Sequence, residues 1–143
     1  MKALKIIIAG IVFAIIAQII HTVESMATMN FYTDPTFFGV WSKIMMPGAG
    51  APPMEFYVYS IIFSLITGII YAIVYSMISK SIPGKTTFNK GLNFGFFLFF
   101  IAIPWSLTMY LLINLPAMLL AYWAISGLII NLIFGIIIAK LIK

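Results

Sequence analysis

Three sets of polar side chains interrupt otherwise apolar stretches of this 143-residue chain. Gln18, His21 and Ser25 follow one another at three- and four-residue spacing, with Glu24 beside them, so a helix aligns them on one face. Ser106, Tyr110 and Asn114 recur every four residues, and Ser60, Ser64 and Thr67 form a third set at similar depth. An imidazole next to a carboxylate suits proton transfer, and it supplies half of a zinc or iron site. Amide and hydroxyl groups at membrane depth are costly unless they face one another or a cavity. The three sets therefore predict an outward-opening polar pocket of Gln18, His21, Glu24, Ser25, Ser106, Tyr110 and Asn114, or else plain hydrogen bonding between helices.

The chemistry open to such a pocket is limited. There is one histidine, no cysteine and only three acids, so a metal at His21 and Glu24 would need Asp34, Glu55 or a second subunit to complete it. No ligand-spacing motif is met, and haem on His21 alone has no more support. Neither a phosphate-binding loop nor an acyl-transfer motif is present, and without arginine the chain lacks the usual grip on phosphorylated lipids. No catalytic residue, metal ligand or cofactor is assigned.

The elements that must position these groups follow from hydropathy. With 64% hydrophobic and 8% charged residues, the chain has lipid rather than water as its main solvent. Four uncharged apolar stretches, 6–23, 56–78, 92–113 and 117–139, approach or exceed the roughly 20 residues that a helical crossing needs. The expectation is an all-α integral membrane protein, a four-transmembrane-helix bundle forming one domain over 1–143. The first stretch follows Lys2 and Lys5 and lacks a small-x-small cleavage pattern after its apolar core, which reads as an uncleaved signal anchor.

Lys2, Lys5, Lys80, Lys85, Lys90, Lys140 and Lys143 flank one side of the expected spans, and Lys43 alone flanks the other. The positive-inside rule then puts both termini in the cytoplasm and the 24–55 loop outside. The expected setting is the cytoplasmic membrane of a microbe. The basic residues are all lysines and are scattered, which argues against nucleic acid as a partner. Asn114, Leu115 and Pro116 leave so little chain between the last two spans that they must form an antiparallel hairpin. Within the outer loop, Asp34-Pro35 makes a helix start, with Phe37, Phe38, Val40, Trp41, Ile44 and Met45 at helical spacing after it. A short interfacial helix is expected there, presenting Phe37, Phe38 and Trp41 and ended by the Pro- and Gly-rich run 47–53.

Helices in lipid associate where small residues let backbones approach. Ser60, Ser64, Gly68, Ala72 and Ser76 form such a stripe on the second span, with Gly10, Ala14 and Ala17 on the first. Gly91, Gly95 and Ala102 serve the third, and Ala117, Ala121, Ala124, Asn131, Gly135 and Ala139 the fourth. These faces are expected to meet at the bundle centre or in a homo-oligomer. Pro104 removes the amide partner of the Phe100 carbonyl and is expected to kink the third span.

The runs 90–95 and 103–105 resemble small four-helix membrane proteins of microbes, a resemblance that implies a fold and no activity. Three functions remain open. The leading one is a scaffold or accessory subunit, binding a membrane-protein partner or a second copy through the small-residue faces. The next is a transporter or binding protein for a small or lipophilic ligand in the outer pocket. An enzyme acting on a lipid or quinone has the least support.

Overall fold

The computed structural model describes residues 2–46 and 51–142. Its elements are α1 (Lys2–Ala27), a short α2 (Met29–Thr33), one 3-10 turn (Pro35–Phe37), α3 (Met54–Ile78), α4 (Thr87–Leu112) and α5 (Ala117–Leu141). Among the described residues there is no strand. The four long helices have 25 or 26 residues each, roughly 38 Å at 1.5 Å per residue. All four are long and apolar enough to cross a membrane.

Most of the helices outrun the apolar windows read from the sequence, because the backbone ladder continues for as long as caps and polar side chains sustain it. At the start of α4, the Thr86 hydroxyl accepts a hydrogen bond from the Asn89 N–H at 3.1 Å, so the helix begins before the apolar run does. α1 likewise continues past Val23 to Ala27.

α1 packs against α3 on one side and α5 on the other, and α5 in turn packs against α4. Successive long helices run antiparallel, so Lys5, Lys80, Lys85, Lys90 and Lys140 gather at one end, hereafter the lysine end. Asp34, Lys43 and Glu55 lie at the other, labelled the outer end because it carries the loop that the lysine distribution is expected to place outside. Aromatic contacts hold the centre. Phe13 of α1 meets Phe134 of α5 edge-on at 5.0 Å and Tyr71 of α3 at 5.5 Å. Tyr75 of α3 meets Phe94 of α4 at 5.0 Å. Edge-to-face pairs of this kind contribute on the order of 1 kcal/mol beyond the area they bury.

The small residues do their work in the half of the bundle nearer the lysines. A Cβ added to Gly91 would fall 2.6 Å from the Gly135 carbonyl oxygen, and one added to Gly95 would fall 2.6 Å from that of Asn131. On the α1–α3 side, a Cβ on Gly10 would meet Ile69 Cγ1 at 2.6 Å and the Leu65 carbonyl at 3.0 Å. Backbone thus lies against backbone at two clasps, Gly91–Gly95 on Gly135 and Gly10 on Gly68, both within a single chain. Toward the outer end the same stripes part, and Ala102, Ala117 and Ala121 are exposed.

The outer loop departs in part from expectation. Asp34 is an N-cap whose side chain accepts from the Thr36 N–H at 2.9 Å, and Pro35 sits in the first turn. That hydrogen bond holds the Asp34 carboxyl below its ordinary range. The interfacial helix stops after one 3-10 turn, however. Gly39, a poor helix former, falls where a second turn would form. Beyond it the Ser42 side chain accepts the Met45 N–H at 3.1 Å, a local bond that competes with the helical ladder. Of the run expected to end the helix, Pro47, Gly48, Ala49 and Gly50 lie outside the described residues.

Replacing Gly91 by Val forces a side chain into backbone that cannot yield, and overpacking of this kind costs about 1–3 kcal/mol. Thermal unfolding in detergent should therefore show a lower Tm for Gly91→Val. Gly39→Ala, where an added Cβ meets nothing within 4 Å, should match the wild type.

Candidate functional site

Above each clasp the paired helices enclose a cleft. Between α1 and α3 the cavity measures about 560 Å³ and runs from Ser42 and Phe56 near the outer surface to Phe13 and Thr67 near mid-depth. Between α4 and α5 a second cavity of about 380 Å³ runs from Tyr110 and Ala117 down to Phe99 and Asn131. Both volumes fall in the range of small-molecule sites. The two clefts share no lining residue.

The residues expected to form one pocket are distributed between these clefts and the roof of the bundle. His21 lines the α1–α3 cleft with Ser42, Ser60, Ser64 and Thr67. Gln18 stands beside it, where its Oε1 accepts a hydrogen bond from the Ser60 hydroxyl at 3.3 Å, directly joining α1 to α3. Ser106 and Tyr110 line the α4–α5 cleft. The Ser106 hydroxyl donates to the Ala102 carbonyl at 3.3 Å, inside its own helix. Ser25 similarly donates to the Thr22 carbonyl at 2.9 Å. Asn114 is exposed in the turn after α4, because the helix ends at Leu112 with the Ile113 N–H bonded to the Met109 carbonyl.

Glu24 belongs to a third group. Its side chain is only 6% exposed against 51% for His21, whose Nδ1 lies 3.5 Å from Glu24 Oε2. The hydroxyl of fully buried Thr28 shares its one hydrogen between the Glu24 carbonyl at 2.8 Å and Glu24 Oε1 at 3.0 Å. Buried carboxylates need such partners. One turn further on, Tyr32 receives a hydrogen bond on its phenol oxygen from Trp123 Nε1 of α5 at 2.9 Å and packs on Trp41 at 5.1 Å. Leu115 and Leu119 are buried beside it. Phe37, Phe38 and Trp41 are half-buried, and Trp41 Nε1 is a buried donor with no partner among the described residues.

The roof of Glu24, Thr28, Tyr32 and Trp123 escaped the sequence reading, although Glu24, Thr28 and Tyr32 are spaced four apart. Ending the first span at Val23 hid that stripe. Among the described residues, no group of three histidines, cysteines or acids comes together to hold a metal. What the clefts offer is hydrogen bonding within half-open, largely apolar grooves.

Comparison with protein-family models, with curated proteins and with solved structures finds no match to this chain.

Burial raises the Tyr32 phenol above its ordinary value; the Trp123 hydrogen bond pulls the other way and the neighbouring Glu24 charge adds to the rise. A raised folded-state pKa means stability that is whole below the unfolded value of about 10 and lost as pH climbs through the folded one. Between about pH 9 and pH 12, thermal unfolding should therefore fall less steeply in Tyr32→Phe than in the wild type. At neutral pH, Trp123→Phe should cost about 1 kcal/mol for the lost hydrogen bond. Equal alkaline slopes in wild type and Tyr32→Phe would contradict this account of the roof.

Proposed function

We propose that this chain is a small multi-pass membrane protein that binds a lipophilic molecule in the α1–α3 cleft. One observation carries the reading. The cleft combines apolar walls, Phe13, Ala17, Phe56 and Phe63, with His21, Ser42, Ser60, Ser64 and Thr67, and no charged carboxylate or lysine lines it. An amphiphile with an uncharged hydrogen-bonding head fits that division of surface. Its head would meet His21 and Ser42 at the rim, while its apolar part would lie along Phe13 toward mid-depth.

The lysine distribution supports both termini and the loop at 79–86 in the cytoplasm, with Lys43 and the cleft mouths facing outward. The chain has no cysteine, so single cysteines report topology cleanly. In intact cells, a membrane-impermeant thiol reagent should label Lys43→Cys and spare Lys85→Cys until the membrane is opened. The reverse pattern would invert the orientation.

A scaffold or accessory-subunit role is the second reading. Its support lies on α4, where Trp105, Leu111 and Leu112 project away from the other helices. Gly10, Gly68, Gly91, Gly95 and Gly135 are already engaged within the chain, so an association with a partner would use this outer face.

Native mass spectrometry of the protein from mild detergent separates the two. A lipophile of defined mass retained one to one, and lost in Ser64→Phe with Tm preserved, is the expected result. A second protein at fixed stoichiometry with no small molecule would favour the accessory role. Detergent and bulk phospholipid alone, in wild type and variant alike, would overturn the ligand-binding reading.

A further inference from the structure

The cleft between α4 and α5 contains a polar group that the packing of the chain leaves without a partner. Asn131 is 7% exposed, and what remains accessible of it faces the cavity. It sits about 21 Å along α5 from Ala117 at 1.5 Å per residue, close to the middle of the bilayer. Among the described residues its amide joins none of the side-chain hydrogen bonds, whereas Ser106, higher in the same cleft, is satisfied by the Ala102 carbonyl of its own helix. Directly below, the Asn131 backbone abuts Gly95, so the amide forms the floor of the cleft.

An unpaired amide in hydrocarbon is destabilising, because nothing there replaces the hydrogen bonds it would make to water. The occupant of the cleft decides whether that cost stands. A phospholipid acyl chain would fill the volume and leave the amide bare, since the polar atoms of a phospholipid stay at the interface. The occupant must instead carry a hydrogen-bonding group to mid-depth, such as an acceptor for the amide N–H, and it must be neutral, because no charged side chain lines the cleft. Phe99, one helical turn above the Gly95 that abuts Asn131, adds aromatic surface at the depth of the amide, which favours a flat ring.

We propose that the α4–α5 cleft binds a quinone-type molecule, one ring carbonyl accepting a hydrogen bond from the Asn131 amide, the ring beside Phe99 and the apolar tail leaving between α4 and α5 into lipid. The site is separate from the α1–α3 cleft and does not rest on the reading given for it.

The test uses the full chain in phosphatidylcholine nanodiscs, titrated with decyl-ubiquinone, with bound quinone counted after separation and its carbonyl stretch followed by infrared difference spectroscopy. Saturation at one quinone per chain with a carbonyl band shifted to lower frequency is expected. Asn131→Leu should weaken binding by about tenfold or more and abolish the shift, the loss expected for one buried hydrogen bond. Ser64→Phe in the other cleft should leave both readouts unchanged, which separates failure at one site from failure at the other. Should Asn131→Leu fail to fold, Ala124→Phe, which fills the cleft without touching the amide, should eliminate saturable binding. Unsaturable partitioning equal in wild type and these variants would overturn the proposal, as would a retained phospholipid or diacylglycerol that quinone does not displace.

Discussion

Where lipid replaces water, helices gain nothing from hiding apolar side chains, and the contact that remains available to hold them is close packing of backbone on backbone. Gly91, Gly95 and Gly135 provide it between α4 and α5, and Gly10 with Gly68 provides it between α1 and α3. Phe13, Tyr71 and Phe134 then bridge the two pairs through the centre of the bundle. Both clefts exist because these clasps occupy one half of the helix length and leave the other half free to part. The same stripes that pack near the lysines line open space near the outer loop.

The roof has a different chemical basis. Glu24, Thr28 and Tyr32 are buried at the outer end with Trp123 half-buried beside them, and there hydrogen bonds replace the backbone contact used below. Through Tyr32 and Trp123 the segment following α1 is tied to α5, so the bundle is joined across its outer end by side chains and near its lysine end by backbone. Glu24, held by Thr28 and set beside His21, lines neither cleft, whereas His21 lines the one between α1 and α3.

Much of the architecture was legible in the residues themselves. Uncharged runs gave the four helices, the short Asn114–Pro116 connection gave the α4–α5 hairpin, and Asp34-Pro35 marked a genuine cap. Gly10, Gly68, Gly91 and Gly135 were readable as packing positions because only close approach explains small residues at such spacing in lipid. Periodicity fixes which face of a helix is small or polar, but not which helix will oppose it. Gln18 and Ser60 therefore met each other, while Ser106 and Tyr110, at a similar depth, faced a different neighbour. The Tyr32–Trp123 bond joins residues 91 positions apart with no pattern connecting them, and hydroxyls such as Ser106 were free to bond their own helix. Periodicity puts Ser106 and Tyr110 on one face of α4, but it has no means to say that they and His21 line different clefts.

The position of the α4–α5 clasp also sets a mechanical ratio. Gly135 lies about 27 Å along α5 from Ala117, counting 1.5 Å per residue. With the fulcrum so near one end, a swing of about 5° between the two rods shifts their far tips by roughly 2 Å, on the same 27 Å arm. A change too small to disturb the glycine seat would thus alter the width of the mouth by more than the length of a carbon–carbon bond.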